Sequence, residues 1–165
     1  MVSRAFVKEE SAELPPVAAP RAPLPSGTPN YVTERGLELL RSELEHLTLE
    51  RTRAESMLDP AERSNLAAIF VQRRAQLEER IASAVVVPKA PADEVRFGAT
   101  VVVLGRDEVE RTYQIVGVDE ADPAQGRIAF VSPVARALLG RRAGDVATVR
   151  TPRGEETLEV ISVSF

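Results

Sequence analysis

The chain has 165 residues, no cysteine and a single histidine, His46, which excludes disulfide frameworks, cysteine-based zinc sites and histidine-cluster metal centres. A formal net charge of −4 has the wrong sign for neutralising duplex phosphates, so any link to nucleic acid is expected to be indirect, through a partner. With 44% hydrophobic residues but only 4% aromatic, the chain can bury an aliphatic core, and no apolar run approaches a membrane span or a signal-peptide h-region; a cytoplasmic protein without a membrane partner is expected.

Residues 1–29 hold six of the twelve prolines (Pro15, Pro16, Pro20, Pro23, Pro25 and Pro29) among alanines and small polar residues. A stretch of that composition gathers too little apolar contact to offset its ordering entropy and is read as a disordered, Pro-rich tail. Within it, Arg4-Ala5-Phe6-Val7-Lys8 has the apolar character of a short docking motif.

From Asn30 the pattern becomes helical. Thr33 is a candidate N-cap with Val32 as hydrophobic staple, and a first helix is expected to run to Leu58. Its apolar or seam positions, Leu37, Leu40, Leu44, Leu47, Arg51, Ala54 and Leu58, follow strict three-four spacing. Asp59 followed by Pro60 reads as the cap and first position of a second helix, which ends near Ser83. Its seam falls at Leu66, Phe70, Arg73, Leu77, Arg80 with Ile81, and Ala84. Two such arms joined at a tight turn predict an antiparallel coiled-coil hairpin over residues 30–87. Arg51 and Arg73 are expected to snorkel or to pair with glutamates across the arms, and His46 to face solvent. Pro88-Lys89-Ala90-Pro91 then marks a linker over 88–94.

After Asp93 the period shortens to two and β-branched residues take over. Strands are predicted at Thr100–Leu104, Arg111–Val116, Arg127–Phe130, Asp145–Arg150 and Glu156–Ser164. One short helix, Pro133 to Leu139, has Ser132 as N-cap and Gly140 as stop. The fold class is therefore α+β, with the hairpin followed by a small antiparallel β domain over 95–165 that carries one helix. Asp119, Glu120 and Asp122 are read as turn chemistry, because the spacing of a calcium loop is absent.

Several strings in this order resemble the GreA/GreB family of bacterial transcript-cleavage and elongation factors: FGATVVVLG at 97–105, TYQIVGVDEAD at 112–122, SPVARALLG at 132–140 and TPRGEETLEVISV at 151–163. NYVTERGLELLRSEL at 30–44 is similar to the start of that family's first helix. The resemblance implies an FKBP-like C-terminal domain seated at the rim of the secondary channel of bacterial RNA polymerase, with the coiled coil pushed down the channel. It also implies a monomer that has no cofactor of its own and meets nucleic acid only through the elongation complex. Ser132, Pro133 and Arg136 fall in the segment that resembles the family's polymerase-docking loop, although Val131 stands where members often carry Asp or Asn.

In cleavage-active members, carboxylates at the tip help hold a second magnesium at the polymerase active site, where two metals stabilise the attacking and leaving oxygens. Here Asp59 and Glu62 are the tip and metal candidates. Arg63, Ser64, Asn65 and Leu66 follow Glu62 in place of the family's Asn, second acid and Tyr. Arg63 opposes cation binding by like charge, and Asp59 and Glu62 equally suit a helix start. Both arms read about one heptad short, which costs roughly 10 Å of reach. The expectation is a regulator of transcription elongation with weak or no cleavage stimulation, not an enzyme but at most a stimulator of the polymerase's own cleavage. Two alternatives stay open: a cleavage-stimulating factor using Asp59 and Glu62, and a short-armed regulator resembling the Rnk proteins. Prolyl isomerisation is disfavoured, since Phe97, Tyr113, Phe130 and Phe165 are too scattered to line a proline pocket.

Overall fold

The computed structural model describes Arg21 and residues 23–57, 59–89, 91–152 and 154–165, without the side chains of Met57, Ala61, Glu62 and Asn65. The Arg4–Lys8 motif and the predicted seam residue Leu58 lie outside the described residues.

A two-residue strand, β1 (Tyr31–Val32), leads into helix α1 (Glu34–Met57). Thr33 between them is the N-cap: its Oγ1 accepts the Gly36 N–H at 2.9 Å, satisfying one of the donors a helix start leaves unpaired. Helix α2 (Pro60–Ala82) begins with proline where a missing N–H does no harm, and the Asp59 carbonyl accepts the Arg63 N–H at 3.0 Å. The predicted seam is the contact between the arms. Leu40, Leu47, Phe70 and Leu77 are buried in it with Val32, flanked by half-buried Leu37, Leu44, Ala54, Leu66, Ile81 and Ala84. Of the two seam arginines, Arg73 reaches across to Glu50 at 3.9 Å, while Arg51 pairs along its own helix with Glu55 at 2.7 Å. His46 is exposed, as expected. Twenty-four and 23 residues make the arms ~36 and ~34 Å long.

The foot of the hairpin is closed by backbone pairing that the apolar run 84–87 did not announce. Strand β2 (Val85–Val86) lies parallel to β1, with Tyr31 opposite Val85 and Val32 opposite Val86. The Val85 and Val87 N–H groups donate to the Asn30 and Val32 carbonyls at 2.9 and 3.0 Å. Asn30 Nδ2 adds donations to the Arg80 carbonyl at 2.8 Å and to Ser83 Oγ at 3.1 Å.

The C-terminal domain is a five-stranded sheet of β3 (Thr100–Gly105), β4 (Glu110–Val116), β5 (Arg127–Ala129), β6 (Val146–Thr151) and β7 (Gly154–Ser164), in spatial order β5-β4-β3-β7-β6. It is antiparallel with one exception, which corrects the all-antiparallel expectation: β5 runs parallel to β4, with Gln114 opposite Arg127 and Ile115 opposite Ile128. The physical reason is the connection over 117–126. Its two 3₁₀ turns, Val118–Glu120 and Pro123–Gln125, carry the chain back along β4 as far as Gln114 instead of closing a tight hairpin. Helix α3 (Pro133–Leu138) covers one face of the sheet through buried Ala135 and Leu138. Ser132 caps it by accepting the Ala135 N–H at 3.2 Å. The core is aliphatic, built on Val95, Val101, Val103, Ile115, Leu138, Val149, Leu158 and Val160.

Candidate functional site

Three places matter: the tip, the surface around α3, and the joint between hairpin and base. At the tip, Asp59, Pro60, Arg63 and Ser64 are exposed. Glu62 sits three residues beyond Asp59 in the first turn of α2, a spacing that places both on one side of the helix start; its side chain lies outside the described ones. Among the described residues no group of three or more His, Cys, Asp or Glu side chains is disposed to hold a metal ion. Two carboxylates can fill only part of the octahedral shell that magnesium requires.

Around α3, Ser132, Pro133 and Arg136 fall within a single helical turn. Pro133 and Arg136 are exposed, while Ser132 is half-buried with its hydroxyl engaged in the cap. Two residues upstream, Phe130 meets Tyr31 and Phe97, with ring centroids 5.6 Å apart in each case and Tyr31 6.0 Å from Phe97. The cluster joins the hairpin's entry strand to the globular domain, and its tilted and edge-on contacts suit the ring quadrupoles.

The joint is electrostatic as well as aromatic. Glu120, on the 3₁₀ turn after β4, is 5% exposed yet carries a carboxylate. Its Oε2 accepts from the Thr33 hydroxyl, and its Oε1 faces Arg35 Nη1 at 3.4 Å. Thr33 thus caps α1 and ties that helix start to the base. Gly36 leaves room for this arrangement, because a Cβ there would lie 2.9 Å from Glu120 Oε2. Gly117 does the same on the other side: a Cβ would lie 2.6 Å from the Tyr31 carbonyl oxygen. Asp119 completes the joint. Its Oδ2 lies 3.7 Å from Nε of the buried Arg80 on α2, and its Oδ1 accepts from Arg21 Nη1, whose Nη2 in turn donates to Glu43 on α1. Burial by itself would lower the Arg21 pKa, but the hydrogen bonds to Asp119 and Glu43 more than offset it and hold the guanidinium above its ordinary range.

Asp119 and Glu120 therefore do more than the turn chemistry assigned to them from sequence. Asp122 keeps that role, its carbonyl accepting from Gln125 N–H at 3.0 Å while its carboxylate pairs with Arg127 at 3.0 Å. The signal for the joint was faint: two acids between an apolar strand and a proline, with partners some 40 to 100 positions away. Arg21, inside the stretch read as a single tail over 1–29, carried no signal at all.

A helical hairpin rooted by its N-cap on a small mixed-sheet domain defines a prong-and-base protein. A profile described as "Transcription elongation factor, GreA/GreB, C-term" matches residues 90–165. Transcription elongation factor GreB of Neisseria meningitidis serogroup A is 37% identical over 155 residues, covering 84% of this chain and 95% of that protein. Transcription elongation factor GreA of Methylobacterium nodulans is 39% identical over 151 residues, covering 81% of this chain and 96% of that protein. Among solved structures, the Gfh1 protein of Thermus thermophilus is 23% identical, covering 84% of this chain and 100% of that one, with a TM-score of 0.41. The chain belongs to the GreA/GreB family of transcription elongation factors.

The coverage with the Neisseria protein has a quantitative side. Eighty-four per cent of 165 residues is about 139, so about 16 of the 155 aligned positions face a gap in this chain, and about 26 residues lie outside the match.

Proposed function

We propose that this protein binds bacterial RNA polymerase through its C-terminal domain and regulates elongation by inserting the hairpin into the secondary channel, with little or no stimulation of transcript cleavage. The observation that carries the second half is the deficit of about 16 aligned positions. Taken as lying in the two arms, which are 24 and 23 residues long, that deficit shortens each by about eight residues, or about 12 Å of reach. A carboxylate must come within ~2.1 Å of magnesium to ligate it, so a tip held that far back occupies the channel without completing a metal site. The tip sequence points the same way, because Arg63 follows Glu62 and works against a cation there. Docking runs through the exposed Pro133 and Arg136 beside the Ser132 cap. The protein acts in the cytoplasm as a monomer, brings no cofactor, and touches nucleic acid only within the elongation complex.

Two measurements test this. The chain is expected to co-purify with core RNA polymerase, and Arg136→Ala to weaken that association. In a stalled, backtracked complex with added magnesium, the chain is expected to leave RNA cleavage near the rate of polymerase alone. A second reading is favoured by the exposure of Asp59 at the tip: that Asp59 and Glu62 help hold the second magnesium. Stimulated cleavage that disappears in both Asp59→Ala and Glu62→Ala would establish it and overturn the non-cleaving assignment.

A further inference from the structure

Arg21 lies far ahead of the profile-matched residues 90–165, yet it is a residue through which three elements meet. Its guanidinium bridges Glu43 on α1 and Asp119 on the turn after β4, and Asp119 in turn faces Arg80 on α2. The side chains of Arg21, Asp119 and Arg80 are 19%, 7% and 9% exposed, so the inner part of this chain of charges is shielded from solvent; Glu43, at 44%, is its open end. Bonds of this charge-assisted kind are directional as well as strong. Around them the contact between hairpin and base is narrow: the Thr33–Glu120 bond, the rings of Tyr31, Phe97 and Phe130, and the approach of Gly117 to the Tyr31 carbonyl. These all lie at the start of α1. Arg21 instead grips α1 at Glu43, two to three turns further along, where a brace has leverage.

We propose that Arg21 is a pin, supplied by the segment ahead of the hairpin, that fixes the angle of the coiled coil on its base. Without it the hairpin pivots about the foot. On an arm of ~36 Å a pivot of about 10° moves the tip by about 6 Å, so the pin decides where the tip points. This inference rests on the geometry of the joint and stands whether or not the polymerase assignment holds.

The test is a distance measurement on the full chain, which has no cysteine and so accepts labels at chosen sites. Arg53→Cys near the end of α1 and Ser162→Cys on β7 are both exposed positions for spin labels. The parent should give a narrow distance distribution at low salt, widening at 1 M salt as the exposed Glu43 leg is screened. Arg21→Ala should at least double the width at low salt while helicity by circular dichroism stays unchanged. A distribution in Arg21→Ala superimposable on the parent overturns the proposal. Should Arg21→Ala lose helicity, Glu43→Gln decides: it removes a half-exposed leg only, a broadening of about half that size supports the pin, and an unchanged width sinks it.

Discussion

Gly117→Ala isolates the close approach on which the joint depends. At φ −65° and ψ 163° the backbone suits any residue, so an alanine there would ordinarily gain about 0.4–1 kcal/mol by restricting the unfolded chain. Against that gain, the new Cβ would lie 2.6 Å from the Tyr31 carbonyl oxygen, a backbone atom of β1 flanked by the Asn30 and Val32 carbonyls that accept from the β2 segment. Ordinary contact begins near 3.4 Å, so strand or turn must yield by about 0.8 Å, and overpacking of that kind costs about 1–3 kcal/mol. The net expectation is a loss of about 1–2 kcal/mol, or about 2–8 °C in Tm for a chain of this size. Gly105→Ala is the matched control. Its Cβ would come within 2.5 Å of Arg111 Nη1 and Asp107 Oδ1, both far ends of flexible side chains, and should change stability by less than about 0.5 kcal/mol. Urea unfolding of the three proteins at unchanged m-value reads the difference directly. If Gly117→Ala is as stable as the parent, or more so, the joint is not the tight fit argued above.

Leu77→Ala should cost about 2–5 kcal/mol, because Leu77 is 2% exposed in the seam, whereas Leu49→Ala at a 57% exposed position of α1 should be nearly neutral; equal melting of the helical signal in the two would contradict the seam assignment. Thr33→Val removes both the cap to Gly36 and the donor to the buried Glu120, for an expected loss of about 1–3 kcal/mol, most of it recovered in Thr33→Ser. Denaturant midpoints decide that pair, and a valine variant as stable as the serine one would dismiss the hydroxyl's role. Burial raises the Tyr113 phenol above its ordinary value near 10, the nearby Arg111 opposing only in part. A group whose pKa is higher folded than unfolded contributes stability that is complete below about pH 10 and drains away as pH climbs through the folded value. Tyr113→Phe should therefore flatten the fall of the urea midpoint between pH 9 and 11; parallel curves for the two proteins would refute the burial argument.

What could be read from the sequence was local. Leu40, Leu47, Phe70 and Leu77 declare a seam because helical spacing repeats wherever one stripe is buried, and the structure buries those four. TVVVLG declares a strand because its residues alternate between fully and partly buried positions. The Ser132-Pro133 start of α3 needs only its next three residues to be recognised. The joint has no such signature. The β1–β2 pairing spans two residues per strand, too few for any period, and joins positions more than fifty apart. The parallel placement of β5 follows from a connection whose path is set by packing rather than by turn residues. Glu120 looks like a solvated loop acid until Thr33 and Arg35 are brought against it. The sequence pattern thus defined the prong, and only the tertiary structure showed how it is mounted.

That mounting has a mechanical consequence. Because β1 enters α1 and β2 leaves α2 side by side, the intervening chain is a loop whose two ends are stitched together by main-chain hydrogen bonds. A sideways load on the far end is then met in shear at Asn30, Val32, Val85 and Val87, and the linker that follows bears little of it. The pairing keeps the two helices together at the root, so the hairpin turns on its base as one rigid body, at the angle that Arg21 sets.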